Sequence, residues 1–386
     1  MMSNFTKRFI PLTNASYFLF GPRGTGKSTW LKMTYPDGLI IDLLSQEQQR
    51  FYLADPDRLK QVVVGHSATN TFIIDEIQRV PDLLSVVHSL IEQYPEKQFI
   101  LTGSSARKLK RSGVDLLGGR AILKTCHPFM AAELGGAFDL EDAIRFGLVP
   151  LVCSSKDKKA TLDAYMGLYL REEVQAEGLV RNIGAFARFL EAISFSHGGV
   201  LNLSEVAREC EVSRKAVEGY VQILTDLLVG VEIPVFSRRA KRQLIKHSKF
   251  YFFDAGVYRS IRPAGPLDRA EEMNGLALEG MVMQHLRAWI VYSGNKAAIY
   301  FWRTKSGSEV DFIVYGPDTF AAVEVKNAGK VHATDLRALT SFGEDYPEAR
   351  RILVYRGSRR LQMEGTLCIP ADQFLKELRP NEPIPQ

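Results

Sequence analysis

Near its N-terminus the chain reads Gly21-Pro22-Arg23-Gly24-Thr25-Gly26-Lys27-Ser28, which fits the pattern G-x-x-x-x-G-K-[ST] at every fixed position. A short apolar run, residues 17–20, precedes this stretch, and a helical pattern, residues 29–33, follows it. Between a strand and a helix, such a loop lets backbone N–H groups converge on phosphate oxygens, and the helix N-terminus adds partial positive charge. The pattern predicts a phosphate-binding loop. The alternative is a glycine-rich turn that matches by chance.

The residues of this loop are the candidate contacts of ATP. We expect the phosphates to be bound by Gly21, Pro22, Arg23, Gly24, Thr25, Gly26, Lys27, Ser28 and Thr29. The ammonium group of Lys27 would reach the β- and γ-phosphates, and the hydroxyl group of Ser28 would bind Mg²⁺. The predicted cofactors are therefore ATP and Mg²⁺.

Two further segments place polar side chains directly after apolar runs. Asp75 and Glu76 follow residues 72–74, so they would lie at the same sheet edge as the loop. Asp75 would hold Mg²⁺ and Glu76 would deprotonate the attacking water, although carboxylates in this place also cap helices. Thr102 and Ser104 follow residues 99–101. Their hydroxyl groups would meet the γ-phosphate or the water, or else belong to an ordinary turn.

Apolar runs alternate with helical patterns over residues 1–125, the runs being 17–20, 39–41, 72–74, 99–101 and 121–123. This alternation predicts βαβ units and a mostly parallel sheet. Residues 126–200 are predicted to be helical, and residues 201–262 to form a helical module ending in a basic hairpin. Residues 263–386 are predicted to form a second α/β unit, with a helix at 275–292 and strands at 298–303, 310–315, 321–326 and 352–355. The predicted fold class is therefore α/β.

Residues 204–224 have the apolar spacing of a helix-turn-helix, with Ser204 and Ser213 placed as N-caps. Arg214 and Lys215 would face outward and contact DNA phosphates or base edges. Six cations with no acidic residue among them come next, namely Arg238, Arg239, Lys241, Arg242, Lys246 and Lys249. They suit the wing of a winged helix lying on a DNA backbone, without base specificity. The alternatives are a protein-docking module or a solvated charged face.

A strand-like segment in the tail carries Glu324 and Lys326 two residues apart, which puts both side chains on one face. Asp311 on the preceding strand would converge on Glu324, and Glu279 from the preceding helix would complete a metal site. Glu309 would substitute as a ligand. Carboxylates that hold Mg²⁺, with Lys326 activating water, are the parts of phosphodiester hydrolysis. The alternative is a nuclease-like fold without activity, whose residues form surface ion pairs.

These motifs together resemble the AAA+ ATPases, and within them the prokaryotic ATPases that carry a C-terminal domain of unknown function. The resemblance rests on residues 21–28, Asp75-Glu76-Ile77-Gln78, Leu101-Thr102-Gly103-Ser104-Ser105 and Gly119-Arg120, and continues through 251–256, 302–304, 309–312 and 324–326. It covers nearly the whole chain. The tail pattern is similar to the D…ExK signature of restriction-endonuclease-like proteins.

The resemblance implies an AAA+ core at 1–125, a helical lid or linker at 126–200, and a winged-helix element at 201–262. It implies a restriction-endonuclease-like PD-(D/E)xK core at 263–386. Arg120 is similar to an arginine finger that reaches a neighbouring subunit's γ-phosphate, which implies a ring or another homo-oligomer. Thr102 or Ser104 stands where these ATPases place a polar sensor, commonly an asparagine, which is absent here.

The composition is that of a globular protein, with 386 residues, 46% hydrophobic and 24% charged side chains, and a net charge of +5. No apolar run approaches the roughly 20 residues of a membrane span. The four cysteines form no C-x-x-C pair, so we expect reduced thiols in a cytoplasmic protein. We expect a Mg²⁺-dependent ATPase that remodels, translocates along or branch-migrates DNA, with a nuclease activity in the tail left open. The alternative is a nucleotide-dependent switch or scaffold for protein partners, with an inactive nuclease-like tail.

Overall fold

The computed structural model describes residues 6–104, 121–169, 182–238 and 247–386. The chain divides into two units. The N-terminal unit comprises Ile10–His127 with Asp226–Leu228, and the C-terminal unit comprises the segment that ends at Phe9, Pro128–Thr225 and Val229–Gln386. Among the described residues, no helix is long and apolar enough to cross a lipid bilayer.

A five-stranded sheet forms the centre of the N-terminal unit. Its strands are β1 (Tyr17–Phe20), β2 (Leu39–Asp42), β3 (Thr71–Asp75), β4 (Gln98–Gly103) and β5 (Ile122–Thr125). They lie in the order β2-β3-β4-β1-β5, and every neighbouring pair is parallel. The predicted parallel sheet is confirmed. The fifth strand lies one to two residues later than the predicted 121–123.

Parallel strands end at one edge of a sheet, which brings the segments after β1, β3 and β4 close together. Strands β1 and β4 are buried along their whole length. Most of their side chains are apolar because helices cover both faces of such a sheet. The helices of this unit are α1 (Lys27–Thr34), α2 (Gln46–Ala54), α3 (Arg58–Gly65) and α4 (Leu83–Gln93), and a short 3₁₀ helix spans Ile77–Arg79.

The first half of the C-terminal unit is helical. Its helices are α5 (Ala131–Leu134), α6 (Leu140–Phe146), α7 (Pro150–Cys153), α8 (Lys158–Ala164), α9 (Ile183–Ser194), α10 (Leu203–Glu209) and α11 (Arg214–Asp226), and a π-helical turn spans Tyr165–Tyr169. The N-cap of α10 is Asn202 rather than the predicted Ser204, because the Asn202 side chain accepts from the Glu205 N–H. Ser213 accepts from the Ala216 N–H, as its predicted capping role requires.

A small antiparallel sheet follows these helices, in the order β6-β8-β7, with β6 at Gly199–Val200, β7 at Gly230–Ile233 and β8 at Lys249–Phe252. Two more helices come next, α12 (Ala255–Ile261) and the long α13 (Ala270–Ser293). Asp254 caps α12 through its side chain, which accepts from the N–H groups of Gly256 and Val257.

A six-stranded mixed sheet completes the C-terminal unit in the order β13-β14-β12-β11-β10-β9. Its strands are β9 (Ala298–Arg303), β10 (Glu309–Gly316), β11 (Thr319–Lys326), β12 (Arg350–Tyr355), β13 (Leu361–Met363) and β14 (Thr366–Pro370), and it packs with α14 (Arg337–Asp345) and α15 (Ala371–Glu377). The four predicted strands are present, and β13 and β14 were missed.

The register of β10 and β11 places the tail's predicted metal ligands side by side. Phe312 pairs with Val323, so Asp311 and Glu324 occupy the next positions on these antiparallel strands. The pairing of β10 with β9 shifts between Val310 and Ile313, which marks an irregularity of the strand at Asp311 and Phe312. Irregularities of this kind, such as β-bulges, re-aim a side chain.

Candidate functional site

The loop after β1 has the backbone geometry that a phosphate cradle requires. Gly24 and Gly26 have φ angles of 77° and 84°, a region that favours glycine. Helix α1 begins at Lys27, directly after Gly26. Its first N–H groups have no partner inside the helix and carry partial positive charge, so they suit a phosphate group.

The ammonium group of Lys27 is buried and folds back over the loop. Its Nζ donates to the carbonyl oxygens of Gly21 at 2.7 Å and of Pro22 at 3.2 Å. The Thr25 hydroxyl group also donates to the Pro22 oxygen, at 2.7 Å. The lysine that was predicted to reach the phosphates is therefore held at the mouth of the loop by backbone acceptors.

Ser28 and Asp75 are joined although 47 positions separate them in sequence. The Ser28 hydroxyl group donates to Asp75 Oδ2 at 2.6 Å. A hydroxyl and a carboxylate oxygen are both hard donors of the kind that Mg²⁺ prefers. These two predicted ligands thus fit Mg²⁺ by their chemistry and lie together at the carboxyl edge of the sheet.

Thr102 on β4 holds the carboxylate of Asp75. Its buried hydroxyl group donates to Asp75 Oδ1 and accepts from the backbone N–H of Glu76 at 3.1 Å. Sequence reasoning placed this hydroxyl at the γ-phosphate or the water. The structure places it on the two carboxylate residues, where it fixes their orientation.

Glu76 follows β3 in a left-handed backbone conformation, with φ of 61° and ψ of 48°. This conformation is uncommon for a residue other than glycine and is often found at functional sites. Gln78 donates through Nε2 to Glu76 Oε2, and to the Ser104 hydroxyl group at 3.3 Å. Gln78 was missed as a site residue. Its signal in the sequence is its place in the run Asp75-Glu76-Ile77-Gln78, which was part of the family resemblance without a role for Gln78.

The tail's predicted residues converge in the C-terminal unit. We call Glu279, Glu309, Asp311 and Glu324 the carboxylate cluster. The backbone N–H of Asp311 donates to Glu324 Oε2 at 3.3 Å, and Lys326 Nζ donates to Glu324 Oε1 at 2.7 Å. A cavity of about 430 Å³ borders Glu309, Asp311, Glu324 and Lys326.

Lys249 also belongs to this cluster, which corrects its assignment to the basic wing. Only 1% of the residue is exposed, and its Nζ pairs with Glu279, Glu309 and Asp311. A cation buried among carboxylates cannot contact a DNA backbone. Sequence reasoning missed this because Lys249 stands next to the wing cations in the chain, whereas its partners come 30 or more positions later.

Burial and the neighbouring negative charges shift the pKa of Lys249 in opposite directions. Burial alone lowers the pKa of Lys249, but Tyr251, Glu279, Asp311 and Glu309 outweigh it, so its pKa lies well above the usual range. Burial, and then the charge of Asp311, raises the pKa of both Glu279 and Glu324. The ammonium group of Lys249 is therefore charged at neutral pH.

A basic groove lies elsewhere in the C-terminal unit, next to the N-terminus of α11. We define the basic groove by Arg214, His247, Arg303 and Lys305, which line a cavity of about 530 Å³ together with Glu205 and uncharged residues. Arg214 pairs with Glu218 at 3.1 Å on an exposed helix face, and such pairs contribute little to stability. A phosphate group can replace a partner of this kind at low cost.

The other predicted DNA contacts are either exposed or outside the described residues. Lys215 is exposed on α11. Arg238 is exposed, and its guanidinium group lies 4.8 Å from the ring centre of Tyr315. Arg239, Lys241, Arg242 and Lys246 lie outside the described residues, as do Ser105 and the predicted arginine finger Arg120.

Three of the solved structures that match this chain are distant likenesses. The replication initiator DnaA from Aquifex aeolicus bound to AMPPCP is 11% identical, with 55% of this chain and 82% of that chain covered and a TM-score of 0.28. A DnaA structure with AMPPCP and single-stranded DNA is 14% identical over the same shares, with a TM-score of 0.25. Protein VC1899 from Vibrio cholerae is 14% identical over 94% of this chain and 96% of its own, with a TM-score of 0.23. These TM-scores are too low to establish a shared fold.

Two curated relatives cover most of the chain. They are the uncharacterized proteins Mb2031c of Mycobacterium bovis and Rv2008c of Mycobacterium tuberculosis. Each is 28% identical over 367 residues, which is 92% of this chain and 80% of the relative.

Three family models match consecutive parts of the chain. Residues 13–135 match an AAA domain, residues 137–268 match a domain of unknown function, DUF8612, and residues 274–374 match another, DUF4143. The AAA match contains the phosphate-binding loop, Asp75, Glu76 and Thr102, and the DUF4143 match contains the whole carboxylate cluster. The chain thus carries an AAA domain at its N-terminal end and a DUF4143 domain towards its C-terminal end.

Proposed function

We propose that this protein binds ATP with Mg²⁺ at the loop after β1 and hydrolyses it. The observation that carries the proposal is the 2.6 Å hydrogen bond between Ser28 and Asp75. It joins the last residue of the phosphate-binding motif to the carboxylate that follows β3, which is the pair that holds Mg²⁺ in P-loop ATPases. The match of residues 13–135 to an AAA domain supports the same activity.

Each side chain then has a distinct task. Lys27 would leave the carbonyl groups of Gly21 and Pro22 and contact the β- and γ-phosphates. Glu76 would take a proton from water as the water oxygen bonds to the γ-phosphorus and the bond to ADP breaks. Thr102 and Gln78 would hold the two carboxylate residues in place. Bound Mg²⁺ would supply charge neutralisation at the phosphates.

Two variants test this proposal. Glu76→Gln should retain ATP and hydrolyse it at least about 100-fold more slowly, since a general base contributes about 10²- to 10⁴-fold. Lys27→Ala should lose nucleotide binding. The exposed residues of the same unit provide matched controls, Glu96→Gln and Lys32→Ala, which should behave as wild type. Phosphate release and calorimetric ATP titration measure both effects, and full turnover by Glu76→Gln would show that the base lies elsewhere.

We further propose that ATP hydrolysis acts on DNA bound at the basic groove, and remodels or moves it. The groove supports this because Arg214, His247, Arg303 and Lys305, which can pair with phosphate groups, line one cavity of about 530 Å³. A ring or other homo-oligomer, with Arg120 as arginine finger, is part of this proposal. The alternative is a nucleotide-dependent switch or scaffold acting on protein partners.

The salt dependence of DNA affinity distinguishes the DNA proposal from the alternative of protein partners. The slope of log affinity against log salt is negative, and each lost phosphate contact makes it shallower by about 0.9 for duplex DNA. In the double variant Arg214→Gln with Lys305→Gln, the slope should therefore become shallower by about 1.8. Lys296→Gln with Lys330→Gln, both exposed and outside the groove, is the matched control. An unchanged slope in the groove variant would favour protein partners.

For the C-terminal domain the two alternatives are a metal-dependent nuclease and a nuclease-like fold without activity. The burial of Lys249 among the predicted ligands supports the second. We therefore propose no cleavage of DNA by this protein.

A further inference from the structure

Lys249 lies at the centre of the carboxylate cluster. Its Nζ is 3.3 Å from Glu279 Oε1 and 3.2 Å from Asp311 Oδ1, and it also pairs with Glu309 Oε1. The lysine comes from β8 of the three-stranded sheet, whereas its partners stand on helix α13 and strand β10. One ammonium group thus connects three elements of the C-terminal unit.

The oxygens that would bind a divalent cation already accept hydrogen bonds. Glu279 Oε1 accepts from the Tyr251 hydroxyl group at 2.6 Å as well as from Lys249. Asp311 Oδ2 accepts from the Val325 N–H at 3.0 Å. Both oxygens of Glu324 also have donors, the Lys326 ammonium group and the Asp311 N–H.

A divalent cation does not fit this arrangement. Mg²⁺ requires oxygens at about 2.0–2.1 Å in near-octahedral geometry, and it would share Glu279 and Asp311 with a fixed ammonium group. Two cations that close, in a buried site with low dielectric constant, repel each other strongly. In the part of the chain that the structure describes, no three carboxylate, imidazole or thiol groups are arranged to hold a metal ion.

We propose that Lys249 is the resident cation of the carboxylate cluster and takes the place that a divalent cation would need. The cluster is then a buried ion-pair clasp that fastens β8 to α13 and β10. This inference concerns the C-terminal unit alone and does not depend on the proposed ATPase activity.

The proposal predicts what happens at the cluster when Lys249 is removed. Removal of one partner from a buried ion pair leaves uncompensated charge, which is strongly destabilising. In Lys249→Ala, the carboxylates of Glu279 and Asp311 would face a new cavity that has lost its ammonium group, while Glu309 would retain its pair with Arg303. A divalent ion is the natural compensation, so the variant should gain a metal site that the wild type lacks.

The experiment uses the full chain without nucleotide, and carries Asp75→Asn in every arm to remove the predicted magnesium ligand of the N-terminal unit. Mn²⁺ binding is followed by electron paramagnetic resonance, and the thermal midpoint is measured with and without Mn²⁺. With Lys249 present we expect no Mn²⁺ bound tighter than about 1 mM, a weak limit for a cation site. Lys249→Ala should bind one Mn²⁺ at least about tenfold more tightly, with a thermal midpoint that rises on Mn²⁺ addition.

Two controls identify the site. Adding Asp311→Asn to Lys249→Ala should abolish both effects, and the exposed Lys296→Ala should show neither. The proposal would be overturned if the protein that retains Lys249 bound Mn²⁺ and the substitution Asp311→Asn abolished that binding. This comparison does not require any Lys249 variant to fold. A folded Lys249→Ala protein that takes up no Mn²⁺ would overturn it as well.

Discussion

Replacing Thr102 by valine removes one hydroxyl group and keeps the β-branched shape that suits strand β4. The hydroxyl group is fully buried, donates to Asp75 Oδ1 and accepts from the Glu76 N–H at 3.1 Å. Without it, the Asp75 carboxylate loses a fixed donor and the Glu76 N–H loses its acceptor. Both residues of the proposed magnesium and water chemistry are then held less firmly, although Ser28 still donates to Asp75 and Gln78 still donates to Glu76.

The size of the effect follows from the kind of hydrogen bond that is lost. A hydrogen bond to a charged group contributes about 1.5–3 kcal/mol. If this energy is lost mainly in the transition state, hydrolysis by Thr102→Val slows by about 10- to 150-fold. Because Thr102 acts through the carboxylate of Asp75, the Mg²⁺ concentration for half-maximal activity should also rise. A purely structural role for Thr102 would leave that concentration unchanged.

The assay is steady-state phosphate release over a matrix of ATP and Mg²⁺ concentrations, with unfolding midpoints to confirm the fold. Thr102→Ser is the matched control because it retains the hydroxyl group and loses only a methyl group. It should hydrolyse ATP within about threefold of wild type, since only packing is changed. Wild-type turnover and Mg²⁺ dependence in Thr102→Val would refute the reasoning. An equal loss in both variants would assign the effect to packing.

Three further predictions concern other parts of the chain. Gln78→Ala should slow hydrolysis by about tenfold with ATP binding retained, since about 1.5 kcal/mol of hydrogen bonding to the Glu76 carboxylate is lost, and unchanged phosphate release would contradict this. Purified protein should leave single-stranded, duplex and branched DNA intact on gels with Mg²⁺ or Mn²⁺, and cleavage that Asp311→Ala removes would contradict the clasp. Burial raises the pKa of Asp254 from 3.8 to about 6, so between these pH values the folded chain holds a proton that the unfolded chain has lost. Stability should therefore fall with rising pH across that interval by up to about 3 kcal/mol relative to Asp254→Asn, as measured by urea unfolding, and an unchanged difference would show that the pKa of Asp254 is not raised.

The phosphate-binding loop was predictable because its chemistry is local. Eight consecutive residues specify the glycine conformations, the lysine and the serine, and the flanking runs specify the strand and the helix. Asp75 was predictable because parallel strands deliver their carboxyl ends to one edge. Side-chain partners across strands were harder to foresee. The hydroxyl group of Thr102 was expected at the γ-phosphate or the attacking water, or else in an ordinary turn, and its contact with Asp75 becomes visible only from the pairing of β3 with β4.

The tail was predictable in four of its six strands and in the convergence of Asp311 on Glu324, because antiparallel neighbours align by period two. Lys249 was not predictable in this way. Its neighbours in sequence are basic, so a local charge count assigned it to a solvated wing, whereas 1% of it is exposed. Charge runs describe a surface only if their members are exposed, and burial depends on contacts with segments far along the chain.

The position of Lys249 bears on two hypotheses, DNA contact by the basic wing and metal-dependent cleavage by the tail. The same ammonium group cannot contact DNA and lie buried in the carboxylate cluster. If it fastens the carboxylate cluster, the wing loses one of its six predicted cations and the proposed DNA contact passes to the basic groove. The same ammonium group removes the place of the catalytic metal, so chemistry on the phosphodiester bond loses its main requirement. On this proposal the C-terminal domain would be a binding module. The energy for work on a bound partner would then come from the proposed hydrolysis of ATP beside Ser28, Asp75 and Glu76.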